Sequence, residues 1–106
     1  MEANYLVKEN ALIVCLAGEI DHHVAEKLRK DIDGEIDFYR TKDLIFDFSE
    51  VEFMDSSGIG VVFGRYKKIS GSGGTVKIRN ASKLVKQILG MAGVFTLMDY
   101  EDTVTE

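Results

Sequence analysis

The sequence predicts a single α/β domain in which helices pack against a mixed, mainly parallel sheet. Three observations lead there. Apolar segments with strand character alternate with segments whose apolar residues recur every three or four positions. Clusters of Asp, Ser, Asn and Gly mark the junctions, and the chain contains no proline. The 106 residues, 45% of them hydrophobic, suit one compact domain over 1–106 with a real core. Strands that alternate with helices return by right-handed crossovers, which makes the neighbouring strands parallel.

The elements follow in order. ALIVCLAG (11–18) is apolar at both alternating sets of positions, the pattern of a strand buried on both faces. Tyr5, Leu6 and Val7 precede it across a Lys8-Glu9-Asn10 turn and predict a short hairpin partner. Cys15, inside the apolar run, reads as a small buried hydrophobe. Asp21 opens a helical pattern, and Val24, Ala25, Leu28, Ile32, Ile36 and Tyr39 form one stripe. An aspartate there can cap free amides and complement the helix dipole. Gly34 costs that helix about 1 kcal/mol relative to Ala and predicts fraying nearby.

DLIFDF (43–48) is the next strand. Ile59, Val62, Phe63, Tyr66 and Ile69 then predict a second helix, stopped at Gly71-Ser72-Gly73-Gly74. TVKIR (75–79) alternates as a half-buried strand does. Asn80-Ala81-Ser82 starts a third helix, with Leu84, Val85, Ile88 and Leu89 on one face and Gly93 as its stop. Phe95 to Met98 predict a last strand, and the acidic tail from Asp99 a short helix or a frayed end.

Composition excludes several classes. The net charge of −5 argues against nonspecific nucleic-acid binding, which needs basic surface to displace counterions. A single cysteine rules out an internal disulfide framework and fits a reducing, cytoplasmic setting. The opening MEANYLVKEN has no basic stretch followed by an apolar one, so no secretory signal is expected. No apolar run approaches ~18 residues, so no membrane span is expected either.

Asp55-Ser56-Ser57-Gly58, followed by Ile59-Gly60, is where chemistry concentrates. Ser and Asp are favoured helix caps, which would explain one serine. The strand-to-helix junction is also where α/β domains present ligands and partners. A nucleophile elbow needs Gly-x-Ser-x-Gly, and neither serine has both glycines. A Walker loop needs Gly-x-x-x-x-Gly-Lys-Ser/Thr, and no such run exists, although helix-start amides can attract an anion weakly. A phosphoserine fits best physically, since a helix N-terminus tolerates the added charge while the surface changes completely. Gly60 and Gly64, four apart, share a face that is either packed tightly or kept bare for a partner. The core stripe already runs through Ile59, Val62, Phe63 and Tyr66, which favours the bare face. Asp21-His22-His23 reads as a cap with two exposed histidines; adjacent histidines diverge, and no third metal ligand is evident.

GEIDHHVAEKL (18–28), FMDSSGIGVVFGRYKKI (53–69) and the Gly-Gly turn before TVKIR together resemble the STAS-domain anti-sigma factor antagonists. The resemblance covers nearly the whole chain. It implies the STAS fold, a four- to five-stranded mixed sheet, mainly parallel, with three to four helices. It implies a regulatory protein without catalytic residues, metal or cofactor. The unphosphorylated form is expected to bind a nucleotide-bound anti-sigma factor that is also a serine kinase, and so to release a sporulation sigma factor. Ser56, the first serine after the aspartate, is the implied phosphorylation site, and a PP2C-type serine phosphatase restores the active form. The implied partner surface is Asp21, Asp55, Ser56, Ser57, Gly58, Gly60 and Gly64. A monomer without direct nucleic-acid or membrane contact is expected. Similar antagonists serve general stress responses, but the Asp-His-His run favours the sporulation branch. A nucleotide-binding module using the same helix start is the alternative from a different class.

Overall fold

The structure, a computed structural model, describes residues 2–103. In chain order it contains β1 (Glu2–Lys8), β2 (Ala11–Ile20), α1 (His22–Tyr39), β3 (Asp43–Met54), α2 (Ser56–Gly71), β4 (Val76–Arg79), α3 (Lys83–Met91), a 3-10 turn (Val94–Thr96) and β5 (Asp99–Glu101). The strands lie in the order β1-β2-β3-β4-β5. β1 is antiparallel to β2, and every other neighbouring pair is parallel. This is the mixed, mainly parallel sheet with three helices that the alternation of elements predicts.

One face of the sheet carries the core. Leu12, Val14 and Leu16 of β2, Leu44 and Phe46 of β3, and Val76 and Ile78 of β4 form a single cluster with residues of all three helices. Helix α1 contributes Leu28, Ile32 and Ile36, α2 contributes Val61, Val62 and Ile69, and α3 contributes Val85 and Leu89. Strand side chains alternate in direction, so Ile13, Cys15 and Ile45 point to the opposite face. Cys15 is therefore half-buried rather than enclosed, because all the helical cover is on the other side. Burial still pushes its thiol pKa up, with the nearby Asp47 carboxylate adding to the effect.

Several expectations change at the level of boundaries. Gly34 does not fray α1, which runs on to Tyr39 and ends at a left-handed Arg40; the anchored Ile32 and Ile36 on either side outweigh one weak position. Tyr39 itself is exposed, since the stripe has rotated off the sheet by the last turn. β3 continues past Phe48 to Met54, because β2 extends beside it and two register shifts absorb the mismatch. Leu84 is exposed, while Val85 and Leu89 are buried and Ile88 packs half-buried against the same core. The segment Phe95 to Met98 is not a strand: Val94–Thr96 form a 3-10 turn that buries Val94 and Met98. The strand comes later, at Asp99–Glu101, in place of the helix or frayed tail expected there. Residues 104–106 of that tail lie outside the described residues.

The Gly-Ser-Gly-Gly stop has a specific steric cause. Gly73 sits in the left-handed region at φ 81°. A Cβ on Gly74 would overlap the Lys42 carbonyl oxygen and lie 2.9 Å from Ile69 Cγ2. This close approach lets β4 enter directly beside β3. No helix among the described residues is long and apolar enough to cross a membrane.

Candidate functional site at two paired helix starts

β2 and β3 run parallel with Ile20 opposite Met54, and each is followed at once by an aspartate and a helix. The Asp55 amide donates to the Ile20 carbonyl at 3.1 Å, which ties the second junction to the first. Both aspartates have extended backbones, with φ −119° at Asp21 and −102° at Asp55. Each carboxylate accepts from the amide two residues on: His23 to Asp21 at 2.9 Å, and Ser57 to Asp55 at 2.8 Å. Two capped helix starts thus stand side by side at the carboxyl ends of adjacent parallel strands. Some desolvation acts on the Asp21 carboxyl, but the His23 amide bond and the neighbouring His23 ring hold its pKa below the ordinary carboxylate range.

Neither serine is the cap. Asp55 is, so Ser56 is the first helical residue and Ser57 the second. The Ser56 side chain is exposed and Ser57 is half-buried. With the Ser57 amide satisfied by Asp55, the Ser56 hydroxyl is not needed to close the helix.

The three glycines of the motif do different things. Gly58 is buried, and a Cβ there would lie 3.1 Å from Met54 Cβ and 3.3 Å from Ile20 Cγ2. It seats α2 against the ends of both strands. Gly60 and Gly64 face open space, with nothing within 4 Å of a Cβ built on either. Ser56, Gly60 and Gly64 follow one another at four-residue steps, so a bare strip runs down α2 from the exposed hydroxyl. Beside it, a groove of about 270 Å³ is lined by His22, Glu26 and Arg29 of α1 and by Ser57, Gly60 and Val61 of α2. His22 and His23 are exposed, their ring centroids 4.0 Å apart, and no metal-holding cluster forms among the described residues.

If the strip is bare, adding a methyl group should only improve the helix. Gly60→Ala and Gly64→Ala are each expected to stabilise the fold by about 1 kcal/mol, a rise in Tm of about 4–8 °C. Thermal melts of the two variants check this, and a fall in Tm would show that the strip packs against this chain.

Two features escape a linear reading. Arg65 is buried on the inner side of α2, where its guanidinium meets Asp33 of α1 at 2.8 Å. The predicted stripe through Ile59, Phe63 and Tyr66 is accordingly rotated; those three are half-buried, and Val61 and Arg65 lie deeper. The second feature is on the open face of the sheet. Asp47 accepts from Arg79 Nε at 2.9 Å, Asn80 Nδ2 at 3.2 Å and the Ser49 amide at 2.9 Å. Desolvation raises the Asp47 pKa, but these bonds outweigh it and hold the carboxyl below its usual range. Arg79 and Asn80 are 32 and 33 positions from Asp47, and only the β3–β4 register brings them to it.

Comparison with known proteins gives the family of the chain and of its fold. A family model described as the STAS domain matches residues 2–106. The chain is 37% identical over 91 residues to the anti-sigma F factor antagonist of Paenibacillus polymyxa, covering 86% of this chain and 78% of that one. It is 33% identical over 101 residues to the anti-sigma-B factor antagonist of Bacillus subtilis (strain 168), covering 93% and 91%. The structure of the anti-sigma factor antagonist SpoIIAA in its unphosphorylated form superposes with a TM-score of 0.84 at 27% identity, over 97% of this chain and 89% of that one. The chain belongs to the STAS-domain family of anti-sigma factor antagonists.

Proposed function

We propose that this antagonist is a phosphorylation-controlled binding module whose switch is Ser56. The unphosphorylated form binds a nucleotide-bound anti-sigma factor through the strip beginning at Ser56 and the adjoining caps, Asp21 and Asp55. That binding frees a sporulation sigma factor in the cytoplasm. The anti-sigma factor acts as the serine kinase, and a PP2C-type phosphatase reverses the modification. The observation that carries this reading is the exposed Ser56 hydroxyl, released from capping by Asp55 and placed at the head of the bare Gly60–Gly64 strip. A kinase needs an accessible hydroxyl, and a partner that lies close against the helix needs the missing side chains. The solved relative described as unphosphorylated supports the same chemistry. Gly58 serves the site indirectly, by seating the helix.

The test is to incubate the protein with ATP and the cognate anti-sigma kinase, then map the peptide spanning Phe53 to Arg65 by mass spectrometry. A single phosphate on Ser56, absent in Ser56→Ala, is the expected result. A phosphate on Ser57 alone, or none while the kinase modifies a control antagonist, would overturn the assignment. The 33% identity to an anti-sigma-B factor antagonist favours one second reading, in which the sigma factor released serves a general stress response. Titration against both kinds of anti-sigma factor separates the two.

A further inference from the structure

We infer that the free edge of β1 pairs with the same edge of a second copy, joining two sheets across a two-fold axis. β1 is the terminal strand of the sheet, seven residues long, with no register shift against β2. Its sequence, EANYLVK, holds neither proline nor glycine, and its only charges, Glu2 and Lys8, stand at the two ends, where they block pairing unless each meets an opposite charge. Leu6 is 57% and Val7 45% exposed, so the strand presents apolar side chains to solvent beside its unpaired edge.

The sequence of β1 is self-complementary when paired antiparallel about its centre. Tyr5 then stands opposite Tyr5 of the second copy. Glu2 falls opposite Lys8, and the symmetry makes this pair twice. Ala3 faces Val7 on the helix side of the sheet, and Asn4 faces Leu6 on the open side, which brings the two Leu6 side chains to diagonal positions. Of the possible registers, this one places both charged ends of the strand against opposite charges and groups the exposed leucines. Ser56 lies two strands away, at the end of β3, so the pairing leaves the switch free. The interface is small and transient, with an expected dissociation constant of roughly 0.1–1 mM. It adds a weak self-association to the monomer that the resemblance implies.

Sedimentation equilibrium of the full chain from about 20 µM to about 2 mM, at low salt, reads the association directly. Glu2→Lys puts lysines opposite each other twice, and Lys8→Glu does the same with glutamates. Each variant alone is expected to associate at least about tenfold more weakly. An equimolar mixture of the two restores both opposite-charge pairs and is expected to associate within about threefold of the wild type. Far-UV circular dichroism confirms that these exposed substitutions leave the fold intact. Absence of association at the highest concentration would overturn the inference. So would association that the reversals do not change, or two weakened variants whose mixture fails to recover.

Discussion

Phosphorylation of Ser56 is expected to weaken binding to the nucleotide-bound anti-sigma factor by at least about a hundredfold while changing the Tm by only a few degrees. The phosphate brings about −1.5 to −2 charges to a spot where a neutral hydroxyl stood. A partner lying against the Ser56–Gly60–Gly64 strip would have to desolvate that charge. At ~1.4 kcal/mol per tenfold, an uncompensated cost of about 3 kcal/mol already exceeds a hundredfold, and burying an ion easily costs that much. The fold experiences opposing and smaller effects. The dipole of α2 favours an anion at its first residue by about 0.3–1 kcal/mol, whereas the Asp55 and Asp21 carboxylates nearby oppose it. Titration calorimetry on the two forms, beside thermal melts, measures both quantities. Ser56→Ala should bind as the unmodified protein does and resist release. Ser56→Asp should fall between the two forms, because a single carboxylate carries less charge than the phosphate. Equal affinity of the modified and unmodified proteins would end the switch model. A large loss of Tm on modification would mean that release works through unfolding of the helix start instead.

The bare strip allows a sharper version of the same experiment. Gly60→Ala and Gly64→Ala add a methyl group where this chain has open space, so each should bind the partner less well although it is more stable than the parent. Loss of affinity accompanied by gain of stability is hard to produce by damage to the fold.

How much of this could be read in the sequence depended on whether the signal was local. The capping aspartates, the glycine stop and the apolar periods are properties of neighbouring residues, and all three helices and four of the five strands follow from them. Asp21 and Asp55 announce helix starts in the sequence, but their side-by-side placement comes from the parallel register of Ile20 with Met54. Distant pairing is also why β3 runs on to Met54: Ser49-Glu50-Val51-Glu52 reads as a break by composition, yet β2 holds it in the ladder. The final strand fails for a related reason. Phe95 to Met98 has strand composition, but Val94 and Met98 are drawn into the core across one tight turn. The serines were ambiguous because Asp and Ser are equally good caps, and only the backbone geometry assigns the role to Asp55. Arg65 was invisible because a charged residue within an apolar period is taken for the outer face.

That buried arginine carries the largest expected effect on stability, and the damaging substitution is the one at its partner. The Arg65 side chain is 10% exposed and that of Asp33 36%. Their atoms approach to 2.8 Å without the alignment of a hydrogen bond, while Arg65 Nη1 reaches the Val61 carbonyl at 3.4 Å. Burial pushes the Arg65 pKa down and the Asp33 charge resists that shift. Asp33→Ala leaves a cation under α1 with its counter-charge gone. The expected cost is about 3 kcal/mol, at the low end for a broken buried pair because Asp33 is partly solvated. For a domain of this size that is a fall in Tm of roughly 12–24 °C. Arg65→Met should cost less than about 1 kcal/mol, since the abandoned carboxylate can rehydrate and the methionine fills the space of the arginine stem. Combining the two should recover most of the loss caused by Asp33→Ala, as urea titrations of the three variants would show. The reverse order, with Arg65→Met the worse of the two, would mean that the arginine acts through its packing and not its charge. Asp33 lies about three turns along α1 from Asp21, so any loss of partner binding in Asp33→Ala should track unfolding rather than a change at the site. The pair ties α1 to α2 well below the capped helix starts, whose spacing is set separately by the β2–β3 register and the Asp55 amide bond to the Ile20 carbonyl.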